Sequence, residues 1–291
     1  MSASFIPSQS SYGVQIDMKR YRCFGTDPNS GNEALVLLLS VSSEWSIEER
    51  QEFAASKLAN ACVFITSNED DAGPYVLDFY YPHARSPLCL HASLAAAHYL
   101  HTHGIAKYSG SVLTSMDRRL LSFKHSGNEL HVSVNPGQLT MLSPPINTIA
   151  KMLGCAESAI KPPAVIASIG SPKLLVEMVS TDELYALRPR LQEVVDWGKQ
   201  SSVSGIYAYA HREPDKYEGR NFNHLDENLE DAATGVAAGA LSVLLAKSIT
   251  VSQGVRLGNR CQISVYHQDG SISVGGMVFE ASNTASASDW S

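Results

Sequence analysis

Two short segments place proton-moving side chains where buried helices are expected to begin. In "EDAATGVAAGALSVLLA", residues 230–246, the carboxylates Glu230 and Asp231 and the hydroxyl of Thr234 stand against a run with almost no side-chain bulk. In "LCLHASLAAAHYL", residues 88–100, His91 holds the corresponding point of a second small-residue run. A helix lined with Ala and Gly lets strands approach its backbone closely, and one that is apolar on nearly all sides has to be buried. An Ala-rich helix on a surface groove is the alternative. Burial leaves several N–H groups at the helix start in need of partners, and that end favours anions. Two such ends meeting at one cleft would accept a carboxylate-bearing substrate, with His91 and Asp231 at the two mouths. For either residue alone the structural reading is simpler: Asp231 or Thr234 is an N-cap and His91 a satisfied first-turn histidine. Their parallel placement in a repeat favours function.

The elements that would position them recur along the chain. "EALVLLLSV" reads as a buried strand, and "SIEERQEFAASKLA" opens with the capping box Ser46 and Glu49 before an amphipathic helix. "NACVFITS" and "YVLDFYYP" follow as strands, the second ended by Pro82, and "HASLAAAHYLHTHG" as a helix stopped at Gly104. "RRLLSFKHSGNELHVSVNPG" is strand, turn at Ser126 to Asn128, strand. In the second half "ASIGSPKLLVEM" and "GIYAYA" are strand-like, "AATGVAAGALSVLLAKS" is again a small-residue helix, and "NRCQISVYHQDGSISVGG" is a hairpin turning at Asp269 and Gly270. We read a duplication into two α+β halves, each winding strands around one central helix. The expected boundaries are an N-terminal arm 1–14, a first domain 15–134, a second domain 135–280 and a tail 281–291, with the terminal strand able to cross back to the first domain.

Composition bounds the function. The 291 residues are 44% hydrophobic and 18% charged, as in a packed globular protein. With 22 basic against 29 acidic residues the formal charge is −7, which argues against a nucleic-acid partner. The opening "MSASFIPSQSSYGVQ" lacks the flank and core of a secretory signal and no apolar run reaches membrane-spanning length, so a cytoplasmic protein without membrane contact is expected. Five scattered cysteines, Cys23, Cys62, Cys89, Cys155 and Cys261, form no CxxC pair and are expected to be free thiols.

These segments resemble the PhzF-like proteins of the phenazine-biosynthesis isomerase type, which share a fold with diaminopimelate epimerase. The likeness runs from "FGTDPNSGNEALVLL" through "ASKLANACVFI" and "YYPHARSPLCLHASLAAAHYL" to "GRNFNHLDENLEDAATGVAAGAL" and the "QGVRLGNRCQISV" hairpin. "EDAATG" preceded by Arg-x-Phe is its most specific piece. The resemblance implies two pseudo-symmetric α+β domains, each a rolled, mostly antiparallel sheet around a central helix. It also implies a substrate cleft between the domains, no metal or organic cofactor, and a homodimer. His91 falls on the histidine of the family's Gly-His-Ala-Thr element and Asp231 on the aspartate of its Glu-Asp-Pro-Ala-Thr-Gly element. Ser93, Thr234, Gly235 and Asn32 are the accompanying candidates for substrate binding. Ala61, in "NACVF", stands where the family's proton-moving glutamate belongs. Leu90, Arg85 and Val236 depart from the family's usual Gly, Glu and Ser or Asn.

The leading expectation is therefore a cofactor-independent isomerase or epimerase of a small carboxylate, with His91 as acid/base and Asp231 as its partner. The other is a non-catalytic ligand-binding member, which the apolar Leu90 and Val236 fit. Either Glu33 or Glu230 is a candidate to fill the space beside Ala61. Cys62 and Cys89 lie near the site but are read as small buried hydrophobes, since the epimerase relatives place their thiols at the positions of Leu90 and Asp231. His98, His101 and His103 have partial metal-ligand spacing but no carboxylate, and suit a helix C-terminus. "ASIGSPK" lacks the ending of a phosphate loop and is read as a turn or cleft-lining loop. Trp45 and Trp197 are expected to pack.

Overall fold

The computed structural model describes residues 17–281 apart from 40–44, 58, 68–72, 106–108, 136–138, 141–142, 224–229 and 269. The expected arm 1–14 and all but the first residue of the expected tail lie outside the described residues. Contacts divide the chain into two units. One takes the residues up to Cys23, Asn32–His125 and those from Val278; the other takes Phe24–Gly31 and Ser126–Met277.

The first unit runs β1 (Asp17–Cys23), β2 (Asn32–Leu38), α1 (Ile47–Ser56), β3 (Ala61–Thr66), β4 (Val76–Tyr81), β5 (Ala84–Ser86), α2 (Leu90–Thr102), β6 (Ser109–Thr114) and β7 (Leu120–Ser126). Strand β1 pairs antiparallel with β2, β2 parallel with β3, and β3 antiparallel with β4. Strand β4 pairs antiparallel with β5 and parallel with β6, and β6 antiparallel with β7.

The second unit runs β8 (Glu129–Val134), β9 (Leu139–Thr140), α3 (Ile146–Leu153), β10 (Ile160–Ala167), β11 (Lys173–Met178), α4 (Thr181–Ala186) and α5 (Leu191–Ser201), then β12 (Gly205–Glu213), β13 (Lys216–Asn223), β14 (Glu230–Asp231), α6 (Gly235–Leu245), β15 (Ile249–Gln253), β16 (Cys261–Gln268) and β17 (Ser271–Gly276). The six pairings from β10–β11 to β15–β16 repeat those of the first unit in order and direction, with α6 where α2 stood. The duplication read from the sequence is thus present in the strand order. Strand β8, assigned from sequence to the first half, pairs instead with β17 because its alternating apolar residues complete that sheet. A last strand, β18 (Val278–Glu280), returns to pair with β1 in the first unit.

Local rules explain the helices. Ser46 and Glu49 exchange both capping-box bonds, at 3.1 and 2.7 Å, and so start α1. Both α2 and α6 are buried over most of their length, which excludes the surface-groove alternative. On α6, Gly239 gives up its side chain to Ile169 and Val274. No helix among the described residues is long and apolar enough to cross a membrane.

Strand alternation sends neighbouring residues to opposite faces. In the first unit Leu35, Leu37, Cys62, Phe64 and Tyr80 pack with Ala54 of α1 on one face, joined by Trp45 and Phe53. Asn32, Ala34 and Ala61 occupy the α2 face. In the second unit Leu174, Val176, Ile206, Ala208 and Phe222 form a core with residues of α3, α4 and α5, including Trp197. Lys173, Tyr207, Asn221, Asp231 and Gln253 share the α6 face.

On the α4 side, Arg220 donates to both oxygens of Glu230, at 2.8 and 2.7 Å, and to the carbonyls of Leu184 and Leu187, at 3.0 and 3.2 Å. The pair is nearly closed to solvent. Removing one partner of such a pair strands a buried charge, which costs about 3–5 kcal/mol. Arg220→Met should therefore lower the urea midpoint by an equivalent of about 3–5 kcal/mol, followed by circular dichroism.

Candidate active site

In the first unit the start of α2 gathers a thiol and an imidazole. Cys89 is the N-cap and makes no side-chain capping bond. Its carbonyl accepts from the backbone N–H of Ser93 and from Ser93 Oγ, both at 2.8 Å. His91, the second residue of α2, is 8% exposed. Cys89 Sγ lies 3.4 Å from His91 Nδ1 and 3.7 Å from Nε2, and Cys23 Sγ of β1 donates to the His91 carbonyl at 3.1 Å.

This setting separates the thiols. Burial by itself would push Cys89 up, but the facing His91, as charge and as hydrogen-bond partner, together with Tyr81 holds it below the ordinary thiol value. Burial pushes Cys62 up to about 12, and Cys23 also rises. Cys62 moreover lies on the α1 face, away from Ala61. All five cysteines are free.

The carboxylate candidates for the space beside Ala61 point elsewhere. Glu33 faces the α1 side, where Arg20 holds it at 2.6 Å and Arg22 at 2.7 and 3.1 Å. Glu230 is taken up by Arg220 on the face opposite Asp231. Asn32, the first residue of β2, is buried on the α2 face.

In the second unit Thr234 is the N-cap of α6, yet its side chain makes no capping bond. Its hydroxyl donates to Asp231 Oδ2 at 2.5 Å. Gln253 does the capping: its Oε1 accepts from Thr234 N at 3.3 Å and from the Tyr207 hydroxyl at 3.1 Å. Its Nε2 donates to the Asp231 carbonyl at 2.7 Å and to Thr234 Oγ1 at 3.1 Å. Gly235 follows as the first buried residue of the helix. Ser93 and Thr234 thus commit their hydroxyl protons within the protein, so each offers an outside group an acceptor and not a donor.

Three residues of this face were not singled out from the sequence. Gln253 is one. Lys173, buried at the start of β11, donates to the Ser204 carbonyl, and burial lowers its ammonium to about 8 against the opposing pull of Asp231. Asn221, 1% exposed and directly opposite Asp231 in the β13–β14 pairing, has no hydrogen-bond partner at Oδ1 or Nδ2 among the described residues.

Other sequence signals separate from these sites. "ASIGSPK" is the turn between β10 and β11. His101 leans on His125 with ring centroids 4.7 Å apart, and His103 stacks on Tyr99 at 4.1 Å. Among the described residues no three His, Cys, Asp or Glu side chains stand together as a metal site requires. A cavity of about 470 Å³ in the second unit, with Thr181, Tyr185, Arg212 and Glu218 among its walls, includes none of the candidate residues.

The repeated sheet with its two enclosed helices defines an epimerase-like α+β fold. The chain belongs to the phenazine biosynthesis-like protein family, PhzC–PhzF, whose profile matches residues 21–278. It is 28% identical over 240 residues to an uncharacterized isomerase of Deinococcus radiodurans, across 79% of this chain and 77% of that one. The PhzF-family phenazine biosynthesis protein of Bacillus anthracis matches with a TM-score of 0.79 at 18% identity, over 92% of this chain and 98% of that chain. A probable proline racemase of Agrobacterium radiobacter, solved with bound carbonate, matches with a TM-score of 0.65 at 8% identity, over 91% of each chain.

The Cys89–His91 contact has a spectroscopic consequence. Because the folded thiol sheds its proton below the ordinary cysteine range, native protein should develop far-ultraviolet thiolate absorbance at lower pH than the unfolded chain. Cys89→Ser should remove that early step, and His91→Ala should move it upward in pH.

Proposed function

We infer that this protein is a cofactor-independent isomerase or epimerase of a small carboxylate-bearing metabolite. It moves a proton at a carbon beside the carboxylate, with His91 as acid/base and Asp231 as its partner. Membership of a family whose curated relatives are named isomerases supports the reaction class. One observation carries the acid/base assignment: the Cys89 thiol 3.4 Å from His91 Nδ1.

The chemistry follows from what that pair can do. Proton transfer at carbon needs a group with hydrogen-bond reach and switchable protonation. On the family resemblance Ala61 occupies the place of the usual glutamate, and a methyl group moves no proton. A thiol and an imidazole one hydrogen bond apart can exist as the neutral pair or as thiolate and imidazolium, so His91 can give or take a proton without isolating a charge. The hydrogen bond from Thr234 fixes Asp231 in orientation. The helix starts, including the N–H of Gly235, would meet the carboxylate, with Asn32, Ser93 and Thr234 contributing polar atoms around it.

Incubation in heavy water with a panel of small carboxylates tests the reading, with deuterium at carbon read by mass spectrometry. Wild-type protein should exchange, and His91→Ala and Asp231→Asn should each lose about a hundredfold to ten-thousandfold in rate while keeping the native melting transition. Binding of panel members without any exchange in the wild type would overturn the isomerase reading and leave the non-catalytic ligand-binding one.

A further inference from the structure

Among the described residues, the buried face around the start of α6 contains one polar group that the fold does not use. Asn221 lies on β13, inside a sheet covered on both faces, and its carboxamide has no partner at either end among the described residues. Its neighbours are engaged: Tyr207, its cross-strand partner, donates to Gln253, and Gln253 in turn serves Thr234 and the backbone of Asp231. Arg220 and Phe222, on either side of it in sequence, point to the other face. A buried amide left without a partner is costly, and such groups in folded proteins call for an explanation.

We propose that Asn221 is a substrate-binding residue that reads a hydroxyl or amine on the ligand beside its carboxylate. The proposal deepens the function inferred above and rests on its placing a small carboxylate at the start of α6. A carboxamide offers donors at Nδ2 and an acceptor at Oδ1, whereas a carboxylate only accepts and would leave Oδ1 unanswered. A hydroxyl or amine supplies the missing donor. Its position follows from the register: Asn221 and Asp231 are direct partners across β13 and β14. Directly opposed residues have Cα atoms about 4.5–5.5 Å apart, so a substituent on or next to the carbon that Asp231 serves comes within reach of Asn221. Lys173, on the same face two strands over, supplies the buried positive charge that a carboxylate complements. One of its three N–H donors goes to Ser204. The ligand class is therefore a 2-hydroxy or 2-amino carboxylic acid.

Asn221→Leu keeps the volume and deletes both polar ends. In a ligand-free melt it should raise the melting temperature by a few degrees, because an unanswered buried amide is removed. A drop would mean that the amide holds the fold together, and would overturn the proposal. The second arm titrates butanoate, 2-hydroxybutanoate and 2-aminobutanoate at up to millimolar concentration by calorimetry. Wild type should favour at least one substituted acid over butanoate by about tenfold or more, and Asn221→Leu should bring that ratio to within about twofold. The two substituted acids separate the hydroxyl from the amine. A wild type that binds neither, or a preference that survives in Asn221→Leu, overturns the assignment. The outcome is separable from the fate of the isomerase reading. Heavy-water exchange that persists with an unchanged preference in Asn221→Leu removes Asn221 alone, whereas an Asn221-dependent preference without exchange removes the proton chemistry and leaves this contact.

Discussion

A helix enclosed by sheet cannot hand its first N–H groups to water, and both units are organised around that restriction. Small residues make the enclosure possible, because strands close over Ala and Gly at backbone distance. Enclosure then makes the helix start a place inside each unit where polar groups must collect. On α6 Gln253, reaching from β15, accepts from the Thr234 N–H at that start. On α2 the cap is a cysteine whose thiol turns to the imidazole two residues on. Groups drawn together for this structural reason are also groups that bind anions and carry protons.

Face alternation decides which neighbours in sequence are neighbours in chemistry. Glu230 and Asp231 are adjacent, yet Glu230 answers Arg220 beside α4 while Asp231 answers Thr234 at α6. Ala61 and Cys62 likewise part, as do Asn32 and Glu33. The two charges before the small-residue helix therefore have separate duties: one closes the outer layer of helices against the sheet, and the other faces the inner helix. Without the first, Arg220 would be a buried cation with no counter-charge.

The same alternation explains what could be read in advance. The small-residue helices, the capping box of α1 and the β16–β17 hairpin follow from local composition, and the repeat emerged from their order; the hairpin expected over 120–134 does not form, because β7 pairs with β6 and β8 with β17. Helices α3, α4 and α5 do not follow from local composition, because they gain their stability mainly by laying one face on the sheet. The Cys89–His91 pair is missed in the sequence because Cys89 reads as a small buried hydrophobe. Residues two apart on a helix do not ordinarily face each other, which is the rule in play here. Cys89 escapes it because, as the cap, it has extended backbone, with φ −139° and ψ 104°, and its side chain leaves the helical spiral. Lys173, Asn221 and Gln253 stand on three different strands. Only the register shows that they share one face.

The duplication also shows how one backbone position of this fold can carry different side chains. The closing pair of the β1–β2 hairpin is Cys23 with Asn32, and that of the β10–β11 hairpin is Ala167 with Lys173. The same backbone position thus carries a neutral amide in one unit and a buried ammonium in the other, and both units keep the pairing intact. Different side chains stand at the two helix starts: on α2 the Ser93 hydroxyl donates to the Cys89 carbonyl, and on α6 Gln253 accepts from the Thr234 N–H. The fold can therefore persist at 18% identity, because each unit keeps its strand pairings while the side chains at matching positions differ.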